Sequence, residues 1–357
     1  MDRAPLLTLT EHGLRCEAGG FYVDAWQPVD RTIVTHAHGD HAYSGCGHYL
    51  TATPGVGLLK LRVGEVSVQG LAYGERLKIG DVTVSLHPAG HILGSSQVRI
   101  EHQGEVWVVS GDYKLAEDPT CAPFEPVRCH TFLTESTFGL PVYRWAPAGA
   151  VIAEIQAWWQ ANARDGKTSL LLCYALGKAQ RVLAGIDAGV GPIVVHGAVE
   201  RINAVYRAAG VELAPTRMVG EAAKSADWRG ALVLAPPIAY GSPWTRRFNK
   251  VSSGFASGWM RVRGQRRRRA LDRGFVLSDH ADWPALHTAI AATGAQRVLV
   301  THGHAGPLAR YLGEQGIHAE VLATRFTGEA AEDAEMPPVD AQASMIGEVG
   351  EVVEDGA

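Results

Sequence analysis

The sequence contains few cysteines and no long apolar run. Its five cysteines are scattered over 357 residues without a C-x-x-C spacing, which argues against a disulfide framework and indicates a reducing compartment. No stretch approaches the roughly 18 consecutive apolar residues of a membrane-spanning helix. The first residues also lack the basic and apolar regions of a secretory signal. We therefore expect a cytoplasmic protein that has no membrane partner.

The segment 328–357 contains no lysine, no arginine and no aromatic side chain. Nine acidic residues fall within it, and this composition predicts a disordered, solvated tail. The whole chain has 33 basic and 37 acidic residues, a formal charge of −4. Without the nine acidic residues of the tail, 28 acidic residues remain against 33 basic ones, a charge of +5. The acidic total therefore does not exclude a polyanionic partner.

The order of the apolar patterns predicts a mixed α/β protein. The first third has short β-branched and aromatic runs separated by Gly, Pro and Asp, which predicts strands, including one over 97–102 with a wet face. From about residue 148, helical patterns such as 151–163 and 199–209 alternate with apolar strands such as 169–173. This alternation predicts parallel strands connected by helices.

Residues 36–41 read His-Ala-His-Gly-Asp-His and follow an apolar strand. Three imidazoles and a carboxylate in six residues cannot all be satisfied core groups, so metal binding is the better reading of this run. Alternate residues of an extended segment project to one side, so His36 and His38 can share one metal ion. Asp40 and His41 follow the turn and can reach a second ion.

Four motifs in order resemble the signature of the metallo-β-lactamase fold: this H-x-H-x-D-H run, Asp24 at a strand end, His91 after Pro-Ala-Gly, and Asp112 after Ser-Gly. The resemblance implies two metal ions, with His36, His38 and His91 as ligands of the first, Asp40 and His41 as ligands of the second, and Asp112 as the bridge. Asp24 is then expected to orient a ligand. Zinc is the expected metal for this donor set, and manganese is the alternative.

The rest of the chain resembles the β-CASP subfamily, whose members are nucleases of RNA or DNA. Thr-Glu-Ser-Thr at 134–137, a long α/β segment, Ser-Asp-His at 278–280 and Thr-His-Gly at 301–303 match its motif order. The resemblance implies a metallo-β-lactamase αββα sandwich with an inserted α/β β-CASP domain. The expected bounds are 1–145 and 266–327 for the sandwich, 146–265 for the insert and 328–357 for the tail.

The resemblance also implies a reaction. Phosphate-ester hydrolysis is among the slowest uncatalysed reactions, so the site must neutralise charge and activate water, and two divalent ions do both. Asp40 and Asp112 are the expected catalytic carboxylates at the ions. His280 is the expected general acid for the leaving oxygen, with Glu135 keeping it charged and oriented. His302 is expected to complete the coordination of the second ion.

Two substrate classes stay open. In β-CASP proteins a histidine at the position of His302 is typical of RNA-processing members, which makes an mRNA 3′-end-processing type of ribonuclease the alternative. Over nearly all of 5–327, however, the chain resembles the bacterial ligase-associated DNA exonuclease family, for example at 107–119, 231–244 and 274–283. That resemblance implies DNA with a free or single-stranded end as substrate. It also implies repair together with an ATP-dependent DNA ligase and a helicase, with 5′-to-3′ polarity as the expectation.

Two other classes are disfavoured. A non-catalytic scaffold of a repair or processing complex predicts broken metal motifs, whereas all seven ligand positions are present. A small-molecule lactamase or thioesterase would lack the α/β insert.

An arginine run precedes the strand that leads to His280. It can be a solvated loop, or it can be a platform for the phosphate backbone whose binding weakens with salt. The candidate nucleic-acid contacts in and around the insert are Lys178, Ser257, Arg261, Arg263, Arg266, Arg267, Arg268 and Arg269.

Overall fold

The structure is a computed structural model that describes residues 5–219, 227–262 and 271–326. Within these residues the chain forms three β-sheets and six α-helices, so the predicted mixed α/β class is confirmed. The arginines at 263 and 266–269 and the acidic tail at 328–357 lie outside the described residues. Every described helix is too short or too polar to cross a lipid bilayer.

The first sheet contains six strands in chain order. The first two pairs are antiparallel and the next three are parallel. Its strands are β1 (Thr8–Thr10), β2 (Gly13–Cys16), β3 (Phe21–Val23), β4 (Arg31–Ile33), β5 (His48–Ala52) and β6 (Val68–Leu71). Helix α1 (Val56–Val63) connects β5 to β6 and packs its Leu59 and Val63 against Val34 and Tyr49 on the outer side.

The second sheet begins with five strands that follow directly. They are β7 (Arg76–Ile79), β8 (Val82–Pro88), β9 (Ser96–His102), β10 (Glu105–Val109) and β11 (Thr131–Thr134). Strand β9 runs antiparallel to both of its neighbours, whereas β10 and β11 are parallel. Strands β8, β10 and β11 therefore all end at the same edge of the sheet.

The third sheet is entirely parallel, with the strand order β14-β13-β15-β12-β16-β17. Helices α2 (Ala148–Arg164), α3 (Lys178–Gly185) and α4 (Gly197–Ala208) alternate with its strands and cover one face. The strands are β12 (Thr168–Leu172), β13 (Ile193–Val195), β14 (Arg217–Met218), β15 (Leu232–Ala235), β16 (Val251–Ala256) and β17 (Arg273–Phe275).

The chain then returns to the second sheet. Helices α5 (Trp283–Thr293) and α6 (Ala305–Glu314) alternate with β18 (Arg297–Val300) and β19 (His318–Val321). Strand β18 pairs with β11 in parallel, so residues about 165 positions apart are neighbours in one sheet, as Leu133 and Leu299 are. The third sheet therefore lies, in sequence, between two adjacent strands of the second.

One apolar core joins the first and second sheets. Phe21 and Ile33 of the first sheet share a core with Ile100 and Val109 of the second. The opposite face of the second sheet is covered by α5 and α6. Together with α1, the order of layers is helix, sheet, sheet, helix, because each sheet has an apolar face on both sides to bury.

Strand β9 differs from its expected half-wet pattern. Gln97 is fully buried, since the segment around Glu125 covers that face and its carbonyl accepts a hydrogen bond from Gln97 Nε2 at 2.6 Å. Alternation is seen only in the second half of the strand, where Arg99 and Glu101 are partly exposed. Whether another segment covers one face of a strand depends on the tertiary fold, so a polar residue in the strand does not by itself predict an exposed face.

Candidate metal centre

Five strand ends deliver the polar residues of one site. The loop 36–41 follows β4, and His91, Asp112, Glu135 and His302 follow β8, β10, β11 and β18. These last four strands run in the same direction, so their carboxyl ends meet at one edge of the sheet. Side chains that follow parallel strands converge at such an edge.

The first group is built by His36, His38, His91 and Asp112, whose nearest donor atoms all lie within 4.8 Å of one another. His91 Nε2 lies 3.1 Å from His38 Nδ1, and His36 Nε2 lies 3.5 Å from Asp112 Oδ2. Their ring edges therefore point at a common centre. This group coincides with the ligand set expected for the first ion.

The second group contains His41, His302 and the same Asp112. His302 Nε2 lies 3.0 Å from Asp112 Oδ1, and His41 Nε2 lies 3.7 Å from both Asp112 Oδ2 and Asp40 Oδ2. Asp112 thus lies between the two groups: its Oδ1 faces His302, and its Oδ2 lies within 4 Å of nitrogens of both groups. The side chain of Asp40 is 15% exposed, which leaves this side of the site open.

The donor atoms fit divalent cations. His36 Nε2 and His41 Nε2 are buried and have no hydrogen-bond partner among the described residues. Both face Asp112 Oδ2 at 3.5 and 3.7 Å, which is too long for a hydrogen bond. A buried polar atom without a partner is costly, and a cation bound in each group would satisfy the nitrogen that belongs to it. Imidazole nitrogens with carboxylate oxygens are donors that suit zinc and, with more oxygen, manganese.

The electrostatics of the site also suit metal binding. Burial, reinforced by the neighbouring His41, lowers the pKa of His36 to about 4, and burial holds the pKa of His91 well below its usual value. Both rings are therefore neutral at pH 7, the form that ligates a metal. Burial alone would raise the pKa of Asp112, but His41 and His280 outweigh it and hold that pKa well below normal.

His41 behaves in the opposite way. Burial would lower the pKa of this imidazole, yet Asp40, Asp112 and Asp24 outweigh burial and raise the pKa to about 10. The excess of negative charge that holds a proton on His41 would hold a divalent cation in its place.

Each histidine of the two groups has a partner on the ring nitrogen that points away from Asp112. Asp24 Oδ2 lies 2.7 Å from His41 Nδ1, which agrees with the orienting role expected of Asp24. The remaining partners are Thr35 Oγ1 at 3.0 Å from His36 Nδ1, the Leu176 carbonyl at 3.4 Å from His38 Nε2, the Asp279 carbonyl at 2.8 Å from His91 Nδ1, and Thr301 Oγ1 at 2.9 Å from His302 Nδ1.

Of these partners, Asp24 was expected from the sequence and the other four were not. One local signal was available, because a threonine directly precedes a ligand histidine in Thr35-His36 and again in Thr301-His302, each shortly after a strand. The two carbonyls had no signal, since any residue type can supply one.

His280 and Glu135 form a buried pair beside Asp112. His280 Nδ1 lies 2.9 and 3.1 Å from the two oxygens of Glu135, and one of these oxygens also accepts from the Tyr113 amide at 2.8 Å. The His280 carbonyl accepts from Trp145 Nε1 at 2.9 Å. The ring is therefore fixed at one nitrogen and the backbone at the carbonyl.

The candidate nucleic-acid contacts separate into two sets. Lys178 and Ser257 are fully buried: Lys178 Nζ lies 3.5 Å from Asp279 Oδ2, and the Ser257 hydroxyl accepts from the Trp259 amide. Neither side chain faces a surface on which a strand could lie. Arg261 is exposed, and its Nε donates to the Val142 carbonyl at 3.2 Å.

Another exposed arginine lies beside the metal loop. The guanidinium of Arg62 packs against Gly39, where a Cβ would come within 2.0 Å of Nη2. The position of Arg62 beside the loop 36–41 could not be predicted from the sequence, because it results from the tertiary packing of α1.

Comparison with known proteins gives relatives for most of the chain. No family model matches it. A probable DNA ligase of Opitutus terrae is 31% identical over 312 residues, which cover 86% of this chain and 30% of that protein. Ribonuclease TTHA0252 of Thermus thermophilus is 26% identical over 183 residues, covering 43% of this chain and 42% of the ribonuclease. The matches thus span less than half of either relative.

The fold also has a counterpart among solved structures. A protein of unknown function from Enterococcus faecalis matches with a TM-score of 0.58 at 13% sequence identity, over 83% of this chain and 80% of that one. At this identity the likeness concerns the fold alone.

Proposed function

Because the chain belongs to the β-CASP group of the metallo-β-lactamase family, we propose that it is a metal-dependent exonuclease that hydrolyses phosphodiester bonds of DNA. The observation that carries this proposal is the arrangement around Asp112, where two sets of ligands share one carboxylate next to the His280–Glu135 pair. Two ligand sets that share a bridging carboxylate are typical of hydrolytic two-metal sites.

In this proposal the four layers of helices and sheets are the metallo-β-lactamase sandwich, and the third sheet is the β-CASP insert. The pairing of β11 with β18 across the third sheet supports it, since an inserted domain leaves the host sheet continuous. The proposed bounds are 1–145 and 266–327 for the sandwich and 146–265 for the insert. Strand β17 (Arg273–Phe275) pairs with β16 in the third sheet, however, so on this assignment the insert extends at least to Phe275 and the sandwich resumes after it.

The metal assignment is the expected one. His36, His38 and His91 would hold one ion, Asp40, His41 and His302 the other, and Asp112 both. Two such ions, zinc or alternatively manganese, would supply charge neutralisation at the phosphate and an activated water. The chain's own part is to keep His36 and His91 neutral and to orient every ring.

His280 is the proposed general acid. An imidazole whose Nδ1 is held by a carboxylate transfers its proton at Nε2, and Glu135 favours the charged form that has this proton to give. The leaving oxygen of the phosphodiester would receive it. Arg62 and Arg261, together with the arginines at 263 and 266–269, are the proposed backbone contacts.

DNA is the preferred substrate because the relative that matches most of this chain is named a DNA ligase, in agreement with the resemblance to ligase-associated exonucleases. The proposed setting is cytoplasmic DNA repair with an ATP-dependent ligase and a helicase. The second candidate, an RNA-processing ribonuclease, is favoured by the likeness to ribonuclease TTHA0252 and by the histidine at position 302.

One experiment separates the two. The purified chain is given matched DNA and RNA oligonucleotides labelled at the 5′ or the 3′ end, with zinc, manganese or a chelator. We expect DNA to be degraded from the 5′ end, all activity to be lost with the chelator or with Asp112→Asn, and His280→Gln to lower kcat on the order of 10²- to 10⁴-fold while both ions are retained. A strong preference for RNA would sink the DNA assignment, and activity of Asp112→Asn would sink the metal assignment.

A further inference from the structure

Five charged side chains are buried together where α3 of the third sheet meets the loops around the metal centre. They are Lys114, Asp118, Lys178, Arg181 and Asp279, and none of these side chains is more than 6% exposed. Burying a charge is expensive even when it is paired, and an ion pair of this kind contributes little net stability. Stability alone is therefore a weak reason for the cluster.

Arg181 is at the centre of the cluster and contacts both carboxylates. Its Nη1 lies 3.2 Å from Asp279 Oδ1, and its Nε lies 3.3 Å from Asp118 Oδ2. The same Nη1 donates to the Ser278 carbonyl. Lys178 Nζ lies 3.5 Å from Asp279 Oδ2, and Lys114 Nζ lies 2.5 Å from Asp118 Oδ2. Each carboxylate thus faces two cations.

These contacts keep Asp279 charged and in place. Burial alone would raise the pKa of Asp279, but Lys178, Lys114 and Arg181 outweigh it and hold the pKa below its usual value. With both side-chain oxygens and the preceding carbonyl of Ser278 held by cations from α3, the backbone at 278–279 has little freedom to move.

That backbone orients a proposed metal ligand. The Asp279 carbonyl accepts a hydrogen bond from His91 Nδ1 at 2.8 Å, while the opposite ring nitrogen, Nε2, points at His38 and Asp112. The next residue is His280. A shift of Asp279 would therefore rotate His91 and move the proposed general acid at the same time.

Helix α3 reaches the first ligand group by a second route. The Leu176 carbonyl, two residues before α3, lies 3.4 Å from His38 Nε2. The neighbouring α4 adds Tyr206, a buried residue whose hydroxyl accepts from the Leu93 amide in the His91 loop at 3.2 Å. Two of the three imidazoles of this group are thus oriented by carbonyls that α3 supplies or holds.

We propose, on the premise that this site binds metal as stated above, that Arg181 and Lys178 are positioning residues of the metal centre. Through Asp279 they fix the ring of His91 and the backbone of His280, and they make the first ion's coordination depend on the third sheet. Loss of an outer partner of a ligand typically weakens metal binding about 10- to 100-fold.

The test compares full-length variants with a matched control. Arg181→Met and Lys178→Met remove one cation each from the cluster, while Arg207→Met removes an arginine of α4 that is paired with Glu200 at 2.7 Å and is not part of the cluster. The affinity of each for zinc and for cobalt is measured by competition with a chromophoric chelator. The visible spectrum of bound cobalt reports the coordination of the ion, and the thermal midpoint is measured without metal.

We expect Arg181→Met to weaken binding of one of the two ions about 10- to 100-fold and to alter its cobalt spectrum. Lys178→Met should have the same effect in smaller degree, and Arg207→Met should match the wild type in metal binding. If Arg181→Met does not fold, Arg181→Lys decides in the same way, since it keeps one cation but loses the reach to two carboxylates.

Wild-type metal affinity and spectrum in a folded Arg181 variant would overturn the proposal, even if its thermal midpoint is lower, because that is the result of a purely structural role. Failure of the wild type itself to bind two ions is a different result. It would refute the metal assignment and, with it, this role for Arg181.

Discussion

At the scale of single residues, a threonine before a ligand histidine is the feature that recurs in this site. Thr35 lies two residues after β4 and Thr301 directly after β18. Both are buried, and each places its hydroxyl about 3 Å from Nδ1 of the next residue. A hydrogen bond at Nδ1 sets the tautomer and the ring orientation, and so aims Nε2 at Asp112. The same dipeptide thus orients one proposed ligand of each ion.

The substitution Thr301→Val tests this role, because it keeps the shape of the side chain and removes the hydroxyl. We expect affinity for the ion at His302 to fall about 10- to 100-fold, with binding of the other ion little changed. The measurement is a two-site zinc titration against a chelator. Thr293→Val is the control. Thr293 is a buried threonine of α5 whose hydroxyl donates to the Ile290 carbonyl at 2.7 Å and accepts from the Ala295 amide at 3.1 Å, and neither partner belongs to the site.

The control should lose about 1 kcal/mol of stability and keep its metal affinity. Equal metal affinity of both variants would show that the Thr301 hydroxyl does not orient His302.

At the scale of elements, the site depends on where a loop of one sheet touches a loop of the other. Gly111 connects β10 to Asp112 with a φ of +57°, and a Cβ at this position would lie 2.7 Å from Cβ and Oγ1 of Thr35. Thr35 in turn donates to Asp24 Oδ2 at 2.6 Å. A side chain at Gly111 would therefore disturb the site residues that the first sheet supplies and those that the second sheet supplies.

Gly111→Ala is expected to lower both stability and metal affinity. Gly104→Ala is the matched control, because Gly104 has a φ of +83° in the turn between β9 and β10 but open space around it. Both variants bear the backbone strain of a left-handed residue, about 1–2 kcal/mol, and only Gly111→Ala adds the collision. Urea unfolding of the metal-free proteins and zinc titration separate the two effects.

Should Gly111→Ala match Gly104→Ala in both measurements, the contact with Thr35 would be of no consequence for the site.

The same scale shows what could be predicted from sequence. Helices α2 and α4 were found within a few residues because each buries one face with a period of 3.6. Helix α1 was missed, since its apolar residues lie all around a short segment, and β16 was missed because Val-Ser-Ser-Gly-Phe-Ala resembles a loop. Such short elements are stabilised by contacts with neighbouring elements, and the local sequence does not show these contacts.

Within the site, the sequence motifs identified the residues whose type metal binding requires, such as His36 and Asp112. The carbonyls of Leu176 and Asp279 depend on backbone position alone and become visible only in three dimensions. For Lys178, the residue type suggested a role that its position in the fold does not support. This lysine was predicted to contact the nucleic-acid phosphate, whereas the fold buries its ammonium group against Asp279.

At the scale of the whole molecule, charge is divided between the body and the C-terminal segment. The chain has a formal charge of −4, yet residues 1–327 alone carry +5, because nine acidic residues lie in 328–357. Arg62 is exposed beside the loop 36–41, and Arg261 is exposed on the segment that follows β16. A DNA strand bound at the proposed site would therefore meet a mildly basic body. A polyanion linked to the same chain competes with DNA for that body by electrostatics alone, whatever its conformation.

Truncation after residue 327 should therefore tighten DNA binding, on the order of tenfold in dilute salt, and the gain should shrink as salt is added. The Debye length falls from about 30 Å at 0.01 M to about 3 Å at 1 M, so the repulsion is screened along with the attraction. Anisotropy of a labelled single strand, measured over a salt series with Asp112→Asn protein so that the strand survives, provides the affinities.

A full-length chain with the nine acidic residues changed to Asn or Gln is the control for length. It should behave as the truncated chain does if charge is the cause. If instead it binds like the unmodified chain while the truncated chain binds more tightly, the tail obstructs DNA by its bulk. If all three proteins bind DNA with the same affinity, the charge of the tail has no effect on DNA binding.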